Sequence, residues 1–312
     1  MTVPGIVHLD DVAPTERGTG YLRGRWTPLG EAAGSVTVGV RRIELPAGGW
    51  ATPAHEHGGA EEIFYVLAGR GLSWRDGATA EVGAGDCIVY SAGGGAHTLH
   101  ASEPLDVLAF GPRHRDPSTR FPRLGLTMLG TRFAESVGHP PDGMLQYARE
   151  VELGPPALPP APGPRKQIVN LAEVEPVTVE RPRIARTRRN LGVAAGSLDS
   201  GLQHVEVAPG RLSAPTHCHS LEEEIFVVLQ GEGTLLLGGE PTPVRAGHVI
   251  ARPAGTGVAH AFRGGPEGLT MLAYGTRERG DLCHYPDSGK LLLRGIGIVV
   301  RVESVDYWDG ED

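Results

Sequence analysis

Two short clusters in the sequence carry side chains suited to holding a metal ion. In the first, His55 and His57 flank a single residue, Glu62 follows five positions later, and His97 lies further on. In the second, His217 and His219 are followed by Glu224 and then by His260. On an extended strand, residues i and i+2 project to one side, so each histidine pair faces a common space. A neighbouring antiparallel strand opening at Glu62 or Glu224 adds a carboxylate, and a separate hairpin adds the third imidazole. Three imidazoles and one carboxylate suit a divalent transition ion (iron, manganese, nickel, copper or zinc), with positions left open for water or substrate. The carboxylate lowers the charge of such a centre and could detach to act as a base, which makes Glu224 a candidate catalytic residue as well as a ligand. Glu61, Glu222 and Glu223 compete with Glu62 and Glu224 by register.

The elements that must position these residues occur twice. Residues 6–12 resemble 168–174, and 62–69 resemble 224–231, both at an offset of 162. The offset drifts only to 164 by Gly111 and Gly275. Two copies of one domain therefore lie head to tail, 1–153 and 165–312. Between them, 154–164 holds six prolines and reads as a semi-rigid linker. Within each copy the segments are short, apolar and bounded by Gly, Pro or Asp, as at 35–45, 62–67, 86–90 and 105–110. That pattern predicts an all-β sandwich or barrel. With 46 glycines and 26 prolines in 312 residues, the chain has too many turn formers for a helical bundle. Short helices are expected only at 131–135 and around 144–149.

Composition narrows the partners. With 29 basic and 37 acidic side chains the net charge is −8, which argues against binding a nucleic-acid backbone. Five arginines between Arg181 and Arg189 read as a solvated face or a domain contact. No run of 18 apolar residues predicts a membrane helix. Three cysteines without framework spacing, and a start lacking the basic and apolar blocks of a secretory signal, point to a cytoplasmic protein.

The motifs resemble those of the cupin superfamily. The first copy reads G-x5-H-x-H-x4-E-x6-G from Gly49 to Gly69, and the second repeats it from Gly210 to Gly231 with one extra residue before His217. Gly85-x5-Ser91-x-Gly93 before His97, and Gly247-x5-Pro253-x-Gly255 before His260, resemble the second cupin motif, with Ser91 replacing the usual proline. Nearly the whole chain thus resembles a bicupin, and the tail Tyr307-Trp308-Asp309-Gly310 resembles the endings of bacterial cupins. The resemblance implies two tandem jelly-roll barrels (double-stranded β-helices). It implies up to one metal per domain, held by His55, His57, Glu62 and His97 and by His217, His219, Glu224 and His260. It further implies an oxidoreductase, most readily a dioxygenase, acting on a small organic substrate, and it leaves a homodimer open. A non-redox lyase or isomerase of the sugar or keto-acid kind, and a binding or sensing cupin without turnover, are the alternatives.

Other residues complete the reading. Alternation with Ile43 and Val205 turns Arg41 and Gln203 inward, where an arginine would hold a substrate carboxylate. Phe64 and Phe226 are expected to line the cavities. The Tyr274 hydroxyl is a candidate weak acid, and with Pro253 it favours the second repeat as the active one. His100 is expected at the surface, while Cys87 and Cys283 are expected to be inert thiols. The spacing of His8, His114, His139, His204, His248 and His284 carries no message.

Overall fold

A computed structural model describes residues 5–113, 118–130, 132–134 and 145–311, with backbone only at 132–134 and 145. His114 and His139 lie outside the described residues. The chain forms two jelly-roll barrels. In the first, one sheet runs in the order Ile168–Asn170, Asp86–Tyr90, Glu62–Ala68, Leu105–Pro112, Val38–Leu45, Leu22–Thr27, Thr15–Thr19. Its other sheet is His97–Ala101, Arg70–Arg75 and Ala78–Gly83. In the second barrel the long strands Glu224–Leu237 and His260–Thr276 bend across both sheets and pair with each other along most of their length.

The central strands are buried on both faces, which is why they read as nearly continuous apolar runs. Along Glu62–Ala68, Phe64 and Val66 fill the first barrel, while Ile63 and Tyr65 face the other way. Phe226 and Val228 do the same for the second barrel, with Ile225 and Val227 turned outward. The outward residues of both repeats merge into one apolar core between the barrels. Phe110 and Tyr274, which occupy equivalent places in the two repeats, stack there with ring centroids 5.2 Å apart.

Polar groups tie the same interface reciprocally. The buried Glu61 carboxylate accepts hydrogen bonds from the Ser197 and Ser200 hydroxyls and the Leu198 and Asp199 amides. Glu223 accepts from the Val36 and Thr37 amides and the Thr37 hydroxyl. Alternation therefore divides each glutamate run between two tasks: Glu61 and Glu223 clamp the other repeat, while Glu62 and Glu224 turn into their own barrels.

The first strand of each repeat is exchanged. Ile6–His8 pairs with His248–Arg252 of the second barrel, and Ile168–Asn170 pairs with Asp86–Tyr90 of the first. The expected boundaries after 153 and before 165 thus divide the sequence but not the two sheets. The proline segment lies along the first barrel, where the Trp74 indole donates to the Ala157 carbonyl at 3.1 Å and Gly163 N–H donates to the Thr79 carbonyl at 2.6 Å. A helix, Leu145–Leu153, stands where one is expected around 144–149. Arg132–Ala134, expected to be helical, is instead a strand paired with Leu126–Leu129, because Gly130 at φ +58° closes a hairpin between them.

Candidate metal centres

Each centre is assembled from three places in the chain. His55 and His97 face each other across an antiparallel bridge, with reciprocal backbone hydrogen bonds of 3.1 and 2.8 Å. His217 and His260 repeat this bridge at the same distances. Pairing of backbones thus brings a distant histidine beside the first one. His57 and His219 end the two-residue strands Glu56–His57 and Cys218–His219, and their carbonyls accept the N–H of Gly93 and Gly255, both at 2.9 Å. With φ of +64° and +71°, these glycines hold a turn that other residues adopt at a cost. The second motif therefore pins the ligand loop of the first.

The side chains converge. Glu62 carboxylate oxygens lie 3.1 Å from His97 Nε2, 3.3 Å from His57 Nε2 and 3.7 Å from His55 Nε2. Glu224 lies 3.1, 3.5 and 3.9 Å from the Nε2 atoms of His260, His219 and His217. Such separations suit ligands each about 2.0–2.2 Å from one shared ion. The carbonyls of Pro53, Gly95 and Pro215 can only accept, so Nδ1 of His55 (3.0 Å), His97 (3.2 Å) and His217 (2.8 Å) carries the proton. Each Nε2 is thereby turned toward the carboxylate, where it can bind an ion that the two share. Nε2 of His57 and His260 and Oε2 of Glu224 are buried without a hydrogen-bond partner, a condition that a cation relieves. All four residues of the first barrel lie close enough to share one divalent transition ion; in the second His217, Glu224 and His260 do, while His219 groups with His217 and Cys283 or with Glu222 and Asp281.

Charge is arranged to match. Burial would push both carboxyls up, but the surrounding imidazoles outweigh it. His57, His55 and His97 hold Glu62 well below the usual carboxylate range, and His260, His217 and His219 hold Glu224 at about 2. Burial pulls His97 down to about 4; burial and the neighbouring His260 do the same to His217, so both stay neutral as ligands must.

Behind the ligands the two centres differ. His219 Nδ1 meets the Asp281 carboxylate at 2.6 Å, while His57 Nδ1 has the Thr119 hydroxyl at 3.4 Å. Burial would lower the His219 imidazolium, but the Asp281 hydrogen bond outweighs it and lifts it to about 11. Cys283, expected to be inert, has its sulfur 4.0 Å from His219 Nε2 and groups with His217 and His219. Neither Asp281 nor Cys283 carried a sequence signal, since the strand Leu282–Tyr285 joins the site only through its pairing with Cys218–His219.

The first centre opens onto a cavity of about 690 Å³ that is lined by Arg41, Phe64, Tyr90 and Tyr147 among others. Arg41 has no ion pair or hydrogen bond among the described residues. Tyr90 stacks flat on His97 at 3.9 Å. In the second barrel Gln203 is paired with Ala273 and faces inward with Val205, and the Phe226 ring lies 5.5 Å from that of His260. Tyr274 is a correction. It is 1% exposed in the core between the barrels, so it lines neither cavity, and the preference it lent to the second repeat falls away. Either parity of that strand is apolar because both its faces are buried. His100 is half-buried against Trp50, with ring centroids 4.9 Å apart, rather than at the surface. The arginine run is also corrected, since two of its members, Arg186 and Arg188, share the inward face of the second barrel.

Comparison with known proteins agrees with this architecture. The cupin domain family model matches residues 41–111 and again 203–272. A putative sugar phosphate isomerase from Acidithiobacillus ferrooxidans is 27% identical over 46% of this chain and 98% of its own, with a TM-score of 0.42. The oxalate decarboxylase of Bacillus subtilis, studied for its Mn(II) centres, is 17% identical over 88% of this chain and 77% of its own, with a TM-score of 0.55. Tomato vicilin is 14% identical over 91% and 88%, with a TM-score of 0.55. No protein of curated function matches the chain in sequence. Among the described residues no helix is long and apolar enough to cross a membrane. With two matched domains, two jelly-roll barrels and a histidine–glutamate cluster in each, the chain is a bicupin of the cupin superfamily.

Proposed function

We propose that the protein is a metal-dependent oxidoreductase of the dioxygenase kind, acting on a small organic acid in the first barrel. The observation that carries this reading is the cavity of about 690 Å³ in which the Arg41 guanidinium, without a partner among the described residues, and the His55, His57, Glu62, His97 cluster share one space. His55, His57, Glu62 and His97 would hold a redox-capable divalent ion, which would supply the electron transfer needed to combine a substrate with dioxygen. Arg41 binds the substrate carboxylate through its planar fork. Phe64 and Phe121 present apolar walls that limit water. Glu62, ionised throughout the neutral range, lowers the charge of the centre without needing to take up a proton.

A lyase or isomerase would need a base besides the ligands. Glu61 also borders this cavity, but its carboxylate is committed to four donors of the other repeat. The redox reading is the one favoured. The test is oxygen uptake by protein loaded in turn with iron, manganese, copper or nickel, over a panel of aromatic and keto acids. Uptake that is abolished in His57→Ala and shows a raised KM in Arg41→Gln supports the reading. Turnover without oxygen uptake moves it to lyase chemistry, and no turnover with any metal leaves a binding protein.

A further inference from the structure

At three inward positions the second barrel carries charge where the first carries none. Its strand Ala185–Arg189 pairs with Ser200–Val207 in the register Arg186 with Val207 and Arg188 with Val205. Both valines belong to the apolar lining of the barrel. Alternation therefore turns Arg186 and Arg188 inward, while Arg189 turns outward to an ion pair with Glu206 at 2.7 Å. In the same sheet, three strands beyond Ser200–Val207, Arg252 is paired with Glu224 and so shares the face of the metal centre's own carboxylate.

None of these three guanidiniums has an ion pair or hydrogen bond among the described residues, and the Nε of each is buried without a partner. Arg252 is 8% exposed. Burial pulls Arg186 down, helped by the like charge of Arg188, and burial pulls Arg252 down as well; the carboxylate that offsets both is Glu224. Glu224 is already claimed by three imidazoles. The corresponding positions of the first barrel, 162 residues earlier, are Gly24, Trp26 and Tyr90, all uncharged. Buried cations persist when something anionic neutralises them, and a divalent ion beside them deepens the need.

We propose that the second barrel is an anion-binding site in which Arg186, Arg188 and Arg252 hold a small dianion, a dicarboxylate or an organic phosphate, next to the His217, His219, Glu224, His260 cluster. Planar guanidinium forks match either group, and three of them facing one interior favour two negative charges over one. The assignment concerns a different barrel from the proposed turnover and stands whether or not the first barrel oxidises anything.

The test is calorimetric titration and thermal melting of the whole chain at fixed ionic strength, both after chelation and after loading with zinc. The probes are malonate, succinate, inorganic phosphate and glucose 6-phosphate, with acetate and glucose as controls. At least one dianion is expected to bind and to raise Tm, acetate at least tenfold more weakly and glucose not at all. Whether dicarboxylates or phosphates bind better then names the class. The double variant Arg186→Gln/Arg188→Gln is expected to weaken binding at least tenfold, while Arg189→Gln leaves it unchanged. A second readout separates recognition from structure: without ligand, the double variant is expected to melt higher than the parent chain, because two half-buried like charges whose Nε atoms lack a partner are removed. No binding by any dianion overturns the proposal. So does binding that survives the double variant but is lost in Arg41→Gln, or a double variant that melts lower and binds as well as the parent.

Discussion

Asp281 stands behind His219 as an acceptor at 2.6 Å, in the place where Thr119 offers His57 only a hydroxyl at 3.4 Å. A carboxylate on Nδ1 fixes the ring and raises the basicity of Nε2, and loss of such a partner typically weakens metal binding about 10–100-fold. Asp281→Asn should therefore weaken metal binding at the second centre by about that factor, whereas Thr119→Val should change the first centre by much less. Competition titration with a chromophoric chelator reads both. Equal losses would show that the two backing groups do the same work.

Chelation should lower the melting temperature, and returning the metal should restore it. At free metal a hundredfold above Kd, one site contributes about 2.7 kcal/mol. Elemental analysis of His57→Ala and His219→Ala should show about one equivalent lost in each, as expected for independent centres. A melting curve unmoved by chelation would contradict metal binding in both barrels.

The stacked pair Phe110 and Tyr274 sets a third expectation. Tyr274→Phe should retain metal content and turnover, because the ring belongs to the core between the barrels. Removing either buried ring should cost about 3–5 kcal/mol, as for other large aromatic truncations. Denaturant unfolding of Phe110→Ala measures this directly.

Acid should loosen the exchanged strand. Burial, with the nearby His8 and Arg245, holds His248 below its ordinary value of 6.5. Its Nδ1 accepts the Arg245 amide at 2.8 Å, a bond that protonation destroys. The unfolded chain thus takes up this proton first, so the stability tied to neutral His248 is present above 6.5 and declines as pH falls through and below it. His248→Gln should flatten the dependence of Tm on pH over that window, and an unchanged slope would refute the assignment.

Much of the site could be read from spacing because its ligands obey local rules. The H-x-H pairs need only alternation, and their recurrence at an offset of 162 brings Glu62, Glu224, His97 and His260 into one pattern. What escaped reading depended on register between distant strands. Arg186 and Arg188 look like surface charge until their pairing with Val207 and Val205 is known. Asp281 and Cys283 sit more than sixty residues from the ligands they approach, just before and on a strand whose counterpart in the first repeat offers Thr119 where Cys283 stands. Tyr274 failed for a different reason: a strand buried on both faces has no polar side to say which way its rings turn.

The exchange of Ile6–His8 for Ile168–Asn170 makes the two halves hostages of each other. Proteolysis within 154–164 would yield two fragments that stay together, since each still wears a piece of the other. Produced alone, each fragment would carry one strand with no sheet to join and one sheet with a bare edge, the arrangement that invites self-association. A single ancestral copy would meet the same problem and solve it by pairing with a twin. The tandem chain can thus be understood as such a twin pair made covalent, in which the two barrels are free to differ, as they do where one has arginines and the other glycine, tryptophan and tyrosine.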